Sequence, residues 1–207
     1  MKLSAFGSAT AIAIATLVAP SVDASAGKSV LDGSVHWTAV SGDTGAESKI
    51  IGSSTDVRAA YSIRWYENRD DPCKFRVYNR HINLDGVKTP EASWCDGSPG
   101  NDKWAERRGT DEYISALQVC LTDKKDSTKN KVKGLRVWGR ILTAGTLGPE
   151  NGPDESRHTN CKQWSNKVSC PSGQIATKIK VYYNTYQWRS YGPATGIALG
   201  CRDVDPK

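Results

Sequence analysis

Residues 175–183, IATKIKVYY, decide the fold class. Ile175, Thr177, Ile179, Val181 and Tyr183 fall on one face, and Lys178, Lys180 and Tyr182 on the other. Strict two-residue alternation of this kind marks a strand with one buried face. The rhythm returns in residues 131–142, KVKGLRVWGRIL, where Leu135, Val137 and Ile141 alternate with Arg136, Trp138 and Arg140. It returns again in residues 73–80, where Cys73, Phe75 and Val77 alternate with Lys74, Arg76, Tyr78 and Arg80. Residues 59–66 place Tyr61, Ile63 and Trp65 on one face, and residues 114–121 and 197–202 read as two further strands.

Stretches rich in Gly, Pro, Asn, Asp and Ser separate these strands, at residues 41–45, 96–102, 145–154 and 190–196. No segment carries a 3.6-residue apolar stripe over three turns. The pattern predicts an all-β domain, a sandwich, prism or barrel. The lysine-rich run 124–133, which includes Lys131 and Lys133, reads as a solvated loop between strands. A weak repeat matches residues 113–139 with residues 174–202, each an apolar strand, a polar loop and a second strand opened by glycine. Units of this kind would divide the chain into about three.

The N-terminus reads as a secretory signal peptide. Lys2 precedes an apolar run with Ile12, Ile14, Leu17 and Val18, Pro20 ends it, and Ala24-Ser25-Ala26 offers a cleavage site. The run is shorter than the ~20 residues that span a bilayer, and no membrane span is expected. The division is therefore a signal peptide, 1–26, and one all-β binding domain, 27–207, in a secreted, extracellular or periplasmic protein. The net charge of +6 survives cleavage, because Lys2 and Asp23 leave together.

All six cysteines lie beyond the cleavage site: Cys73, Cys95, Cys120, Cys161, Cys170 and Cys201. An even number in an exported chain reads as a disulfide framework. Sequence proximity favours Cys161 with Cys170 and Cys73 with Cys95, leaving Cys120 with Cys201. No C-x-x-C pair exists and His36, His81 and His158 stand apart from the cysteines, so no metal site and no cofactor are expected.

The C-terminal segment Cys170-Pro171-Ser172-Gly173-Gln174-Ile175, a strand, a loop and Gly196-Ile197-Ala198-Leu199-Gly200-Cys201-Arg202 resembles the vitelline membrane outer layer protein I family. The resemblance covers about forty residues and extends loosely to residue 113. It implies a secreted, disulfide-linked β-prism of three Greek-key sheets, and an association with extracellular coats and carbohydrate. The family's paired-aspartate turn before the last strand reads Ser190-Tyr191-Gly192-Pro193-Ala194-Thr195 here, so a binding role attached to that pair does not transfer. The fold expectation is thus a single disulfide-linked domain, β-prism-like or a β-sandwich.

No catalytic residue is expected. There is no G-x-S-x-G elbow, and the adjacent carboxylates Asp70-Asp71, Asp111-Glu112 and Asp154-Glu155 come without a distinctive motif. Three predicted strands instead interleave cations with an aromatic ring: Arg76-Tyr78-Arg80, Arg136-Trp138-Arg140 and Lys178-Lys180-Tyr182. A ring offers a platform for the C–H face of a sugar, and flanking cations donate hydrogen bonds to hydroxyl, carboxylate or sulfate groups. The expected ligand-binding residues are Arg136, Trp138, Arg140, Lys180, Tyr182, Tyr186, Trp188, Arg189 and Tyr191. The structural reading stands beside this: cations also cover rings by stem packing, and Trp37, Trp65, Trp94, Trp104 and Trp164 are expected in the core.

The resulting expectation is a lectin-like protein directed to extracellular polysaccharide or anionic glycans. The alternatives are a hydrolase of cell-wall polysaccharide, and a structural, toxin-like or inhibitor protein with a protein partner. Nucleic acid is disfavoured, since export removes it and no RRM, OB or helix-turn-helix signature is present.

Overall fold

The computed structural model describes residues 29–83, 86–94, 100–107, 109–122, 130–185 and 192–206. The expected signal peptide lies outside these residues, as do Cys95, Tyr186, Trp188, Arg189 and Tyr191. Fifteen strands and no helix are found among the described residues. The chain opens with β1 (Ser29–Trp37), β2 (Ser41–Gly42) and β3 (Glu47–Gly52). A second sheet follows, from β4 (Arg58–Asn68), β5 (Asp71–His81), β6 (Val87–Lys88), β7 (Glu91–Ser93) and β8 (Gly100–Glu106). A third is built from β9 (Glu112–Leu121), β10 (Val132–Thr143), β11 (Thr146–Arg157), β12 (Gln163–Trp164) and β13 (Val168–Ser169). The last two strands, β14 (Gln174–Tyr183) and β15 (Ala194–Pro206), return to complete the first sheet.

The second sheet has the order β6-β5-β4-β8 and the third β11-β10-β9-β12. Each is an antiparallel meander whose fourth strand returns beside the first, a Greek key. The first sheet, β1-β15-β14-β3, has the same pattern read across the chain ends. The repeat seen in the sequence is therefore the central hairpin of each sheet, β9–β10 and β14–β15, with β4–β5 as the third copy. Two units are contiguous; the other is divided between the two ends of the chain.

The three sheets turn their apolar faces to one core. Ile63, Trp65, Phe75 and Val77 come from the second sheet, Ile114, Leu117, Leu135 and Val137 from the third, and Ile179, Val181, Ile197 and Leu199 from the first. Full burial of such side chains stabilises by roughly 1.5–3 kcal/mol each. Trp65 and Trp94 are buried as expected.

Each seam between sheets has its own chemistry. Between the first and second, Trp94 stacks on Phe75 at 5.7 Å and on Tyr183 at 4.7 Å, and buried Asn79 Nδ2 donates to Thr177 O at 3.1 Å. Between the second and third the seam is ionic. Lys133 on β10 is fully buried, and its Nζ donates to Glu67 Oε1, Asp70 O and Asp70 Oδ1, each at 2.6 Å. Asp70 closes the β4–β5 hairpin beside Arg69, both with positive φ, 69° and 50°. Two such residues make the mirror-image turn that suits strand twist but strains non-glycine residues, and Lys133 holds that turn from below. Nearby, Arg107 pairs with Glu112 at the start of β9, and Glu106 N donates to Asp154 Oδ2 at 2.8 Å.

The structure corrects several expectations. Lys133, read both in the solvated run 124–133 and in the strand 131–142, is in the strand and buried, where two carboxylates meet it. Ile141 was expected inward but is 46% exposed; the register shifts on both sides of β10 between Trp138 and Leu142, which exchanges the faces and buries Leu142. Trp37 and Trp164, expected in the core, are half-buried, since both lie on the outer side of their sheets. Residues 146–157, read mostly as turn, form β11. It is an edge strand, the position where Pro149 and Pro153 are tolerated. Disulfides join Cys120 to Cys161 and Cys170 to Cys201, replacing the expected Cys161–Cys170 and Cys120–Cys201. The reason is the register: β12 returns to β9 with Trp164 opposite Cys120, and Cys170 N donates to Ser115 O where the chain crosses toward β14. Cys73 is also disulfide-bonded.

Replacing Lys133 with Met leaves Glu67 buried without its lysine partner, while the exposed Asp70 keeps Lys131 at 3.7 Å. The expected loss is about 3–5 kcal/mol of unfolding free energy, read from urea denaturation. A second expectation concerns acid. His158 Nε2 stands 3.5 Å from Glu67 Oε1. Burial, with the charges of Lys103 and Lys133, outweighs the attraction of Glu67 and Asp70 and holds its imidazole below the ordinary 6.5. The unfolded chain then binds the proton first, so stability falls as pH drops below about 6.5. The urea midpoint should decline from about pH 7 to 5, and His158→Gln should flatten that decline. Asp70 contributes only at lower pH. Burial pushes its carboxyl up, but the Lys133 and Asn160 hydrogen bonds and the lysine charges outweigh this and hold it below 3.8.

Candidate functional site

A cleft of about 290 Å³ opens where the first sheet meets the third. Val40, Gly42 and Asp43 line one side; Leu121, Asn130, Gln163, Trp164, Ser165 and Asn166 line the other. Its walls are fixed by backbone contacts. Asp43 N donates to Thr195 O at 3.0 Å, and Thr195 Oγ1 donates to Asp43 O at 3.0 Å. Gly42 has φ 95°, and a Cβ there would lie 2.6 Å from Thr195 O. Only glycine lets the strand carrying Asp43 approach β15 this closely.

The opposite wall is a clamped segment. Lys162 N donates to Leu121 O and Ser165 N to Val119 O, both at 2.9 Å. Ser41, fully buried, donates through Oγ to Asn166 O at 2.8 Å, meets Ser165 Oγ at 2.7 Å, and accepts from Val119 N at 2.9 Å. One hydroxyl thus joins β2, β9 and the Trp164 wall. The Cys120–Cys161 disulfide ties the same wall to β9.

Inside the cleft, Asn130 Nδ2 donates to Asp43 Oδ2 at 3.3 Å. Trp164, half-buried, supplies an apolar surface beside these polar groups. The Arg136 guanidinium lies 3.9 Å from the Trp164 ring centroid, with Nε donating to Glu155 Oε2 at 2.7 Å. A carboxylate, carboxamides and an indole around one cleft can bind hydroxyl groups and an apolar ring face together.

The expected binding residues are placed on different faces. Arg136 and Trp138 lie on the outer face of the third sheet, Arg140 is half-buried where the register shifts, and Lys180 and Tyr182 lie on the outer face of the first. Of these, Arg136 reaches the cleft, through Trp164. Lys167 sits 4.4 Å above Trp138 and is paired with Glu150; Lys180 sits 4.4 Å above Trp37. Tyr186, Trp188, Arg189 and Tyr191 lie outside the described residues. Asp43, Asn130, Gln163 and Trp164 were missed as site residues, because they meet only through the pairing of β12 with β9 and β2 with β15. The turn-rich stretch at 41–45 was their one sequence signal.

The adjacent carboxylates are engaged elsewhere. Asp70 and Asp71 meet Lys133 and Lys131, and Glu155 pairs with Arg136 and Arg157. For Glu112, burial pushes the carboxyl up, but hydrogen bonds from Arg107 and Asn151 outweigh it and hold it below the ordinary range. Among the described residues no group of three or more His, Cys, Asp or Glu is placed to hold a metal ion.

No family model matches the sequence, and no curated protein matches it. Solved structures do match the fold. The Calystegia sepium agglutinin is 12% identical, with a TM-score of 0.50 over 85% of this chain and 99% of that one. Frutapin, a lectin from Artocarpus incisa, is 12% identical with a TM-score of 0.50 over 83% and 99%. Single-chain recombinant jacalin is 8% identical with a TM-score of 0.50 over 83% and 96%. The fold is a β-prism. The three-sheet prism implied by the C-terminal resemblance thus holds at the level of architecture.

Within this prism the Trp164 wall depends on its tether. Replacing Cys120 and Cys161 together with Ala should cost roughly 2–4 kcal/mol. Amide exchange should accelerate at Lys162 and Ser165 more than in the β4–β5 hairpin, as read by hydrogen-exchange mass spectrometry.

Proposed function

We propose that this is a secreted, lectin-like protein that binds glycans in the cleft between Asp43 and Trp164. The observation that carries the reading is the meeting of one indole, one carboxylate and several carboxamides in a cleft sized for one or two sugar rings. A pyranose has an apolar face of C–H groups and a rim of hydroxyls. Trp164 suits the face, while Asp43, Asn130 and Gln163 suit the rim. The walls are preorganised by β-ladder contacts and a disulfide, so little order remains to be imposed on binding. Arg136, stacked on the indole, adds positive charge beside the cleft and favours glycans with carboxylate or sulfate groups. The C-terminal resemblance to vitelline membrane outer layer protein I supports the same reading, an extracellular protein that meets carbohydrate. The disulfides and the N-terminal apolar run support export, with cleavage after Ala26.

The Calsepa lectin, solved in complex with a biantennary N-glycan, shares the prism and suggests the first probe. The protein lacking residues 1–26 should be tested on a glycan array that includes biantennary N-glycans and acidic glycans. A bound subset is expected, and Asp43→Asn and Trp164→Ala should each weaken it about 10- to 100-fold, the value of one charge-assisted hydrogen bond or one buried contact. An array profile unchanged by both substitutions, or the absence of any bound glycan, overturns the proposal.

A further inference from the structure

We infer that the outer face of the second sheet is a separate binding surface for an extended acidic polysaccharide. Its side chains form a continuous chain of cations and rings, in which Tyr61 is buried. The Lys74 ammonium lies 5.4 Å from the Tyr66 centroid. The Arg64 guanidinium lies 4.9 Å from Tyr66 and 4.3 Å from Trp104. Trp104 meets Tyr78 at 4.9 Å, Tyr78 meets Tyr61 edge-on at 6.3 Å, and Arg80 lies 4.3 Å from Tyr61. From Lys74 to Arg80 the contacts therefore run unbroken across β4, β5 and β8. The expectation that Trp104 is a core residue is corrected here: it is 37% exposed, because its position on β8 faces away from the core.

Register places these side chains together. Arg64 is opposite Arg76 on one side and Trp104 on the other, so the outward positions of three strands form one row. A bulge between Ala60 and Ser62 falls at Tyr61, whose ring meets Tyr78. From Lys74 to Arg80 the row extends roughly 20 Å at the strand rise per residue, longer than a single sugar.

The acidic groups on this face are Glu91, Asp102 and Glu106. Glu91 pairs with Arg76 and Lys74, and Asp102 with Arg64. These carboxylates act as braces. Arg64 is pinned by Asp102 and lies over two rings; Arg80 lies over Tyr61 and donates to Gly109 O at 2.7 Å. Arg80 also donates to Thr110 O. A guanidinium has five N–H donors, and the Arg64 and Arg76 side chains stay 24% and 28% exposed, so part of their donor set faces solvent. Fixing the cations in advance lowers the ordering cost of binding. On the other two sheets the described cations over indoles, Lys49 with Trp94, Lys180 with Trp37, Arg136 with Trp164 and Lys167 with Trp138, are separate pairs. Among the described residues, the second sheet is where they join into a row, on a different face from the cleft.

The two surfaces can be separated by experiment. Retention of the protein lacking residues 1–26 is measured on immobilised heparin, which carries sulfate, and on polygalacturonate, which carries carboxylate, at low and rising salt. Retention on at least one column is expected, with elution as salt screens the charges. Trp104→Ala and Arg64→Gln should elute much earlier than Trp164→Ala, which alters the cleft alone, and Trp104→Tyr should restore retention. Melting curves confirm that each variant is folded; Arg80→Gln, at the end of the row, serves if Trp104→Ala is not. Lack of retention on both columns overturns the inference. So does an elution profile that Trp104→Ala and Arg64→Gln leave intact, or one that only Trp164→Ala shifts. That last result would assign the polyanion to the cleft.

Discussion

Three sheets, each apolar on one face only, must close on one another before any of them is buried. They supply one another's cover: Trp65 and Phe75 from the second sheet pack in the same cluster as Leu117 and Leu135 from the third and Ile179 and Leu199 from the first. The first sheet cannot form until both ends of the domain are present, since β1 pairs with β15. The closing contacts are therefore the most distant in sequence. Long-range β pairing of this sort is slow to form, which gives the covalent links a clear role. Cys120–Cys161 and Cys170–Cys201 secure β9 and β15, strands on which other chain segments must dock.

The seams explain where a ligand site can exist. The first-to-second seam is filled by the stacked rings of Phe75, Trp94 and Tyr183. The second-to-third seam is filled by Lys133 and Arg107 with their carboxylates. Buried ion pairs of this kind add little net stability but are costly to break, and here they set the register of the β4–β5 turn against β10. At the first-to-third seam, the Cys170–Cys201 disulfide closes one part, and beside the cleft the contact is made by one buried hydroxyl, Ser41, and by short strands of two residues. Short strands leave space beyond their ends. The cleft at Asp43 and Trp164 is that space, and its polar lining follows from the loops that bound it.

Much of the fold was legible in the sequence, and the reason is burial. All six predicted strands are present: four are half-buried and write period two into their residues, while 114–121 and 197–202 are buried on both faces and read as short apolar runs. Of the strands that escaped notice, β1, β3, β8 and β11 lie at sheet edges, where one side meets solvent and the pattern weakens, and β2, β6, β7, β12 and β13 have only two or three residues, too few to carry a pattern. Ile141 escaped for another reason: a bulge shifts phase without leaving a mark in composition. The disulfide pairing was hidden because nearness in sequence is a poor guide in a Greek key, whose fourth strand returns to the first. The cleft was hidden for the same reason, since Asp43 and Trp164 share no local pattern.

The surplus of six positive charges can now be placed. With two Phe and one Met in 207 residues, the chain relies on Trp and Tyr, and the core does not accommodate all of them. Trp37, Trp104, Trp138 and Trp164 lie on outer faces, each with a cation over its ring. A bare indole on a solvent face would be an apolar liability; a guanidinium or ammonium above it shields the ring while keeping its own charge hydrated. The basic character is thus in part a consequence of how the outer faces are covered. On two sheets that covering stays local. On the second sheet, the register of β4, β5 and β8 aligns the same pairs into a row, so a device that solves a problem of solubility also builds a charged, aromatic surface.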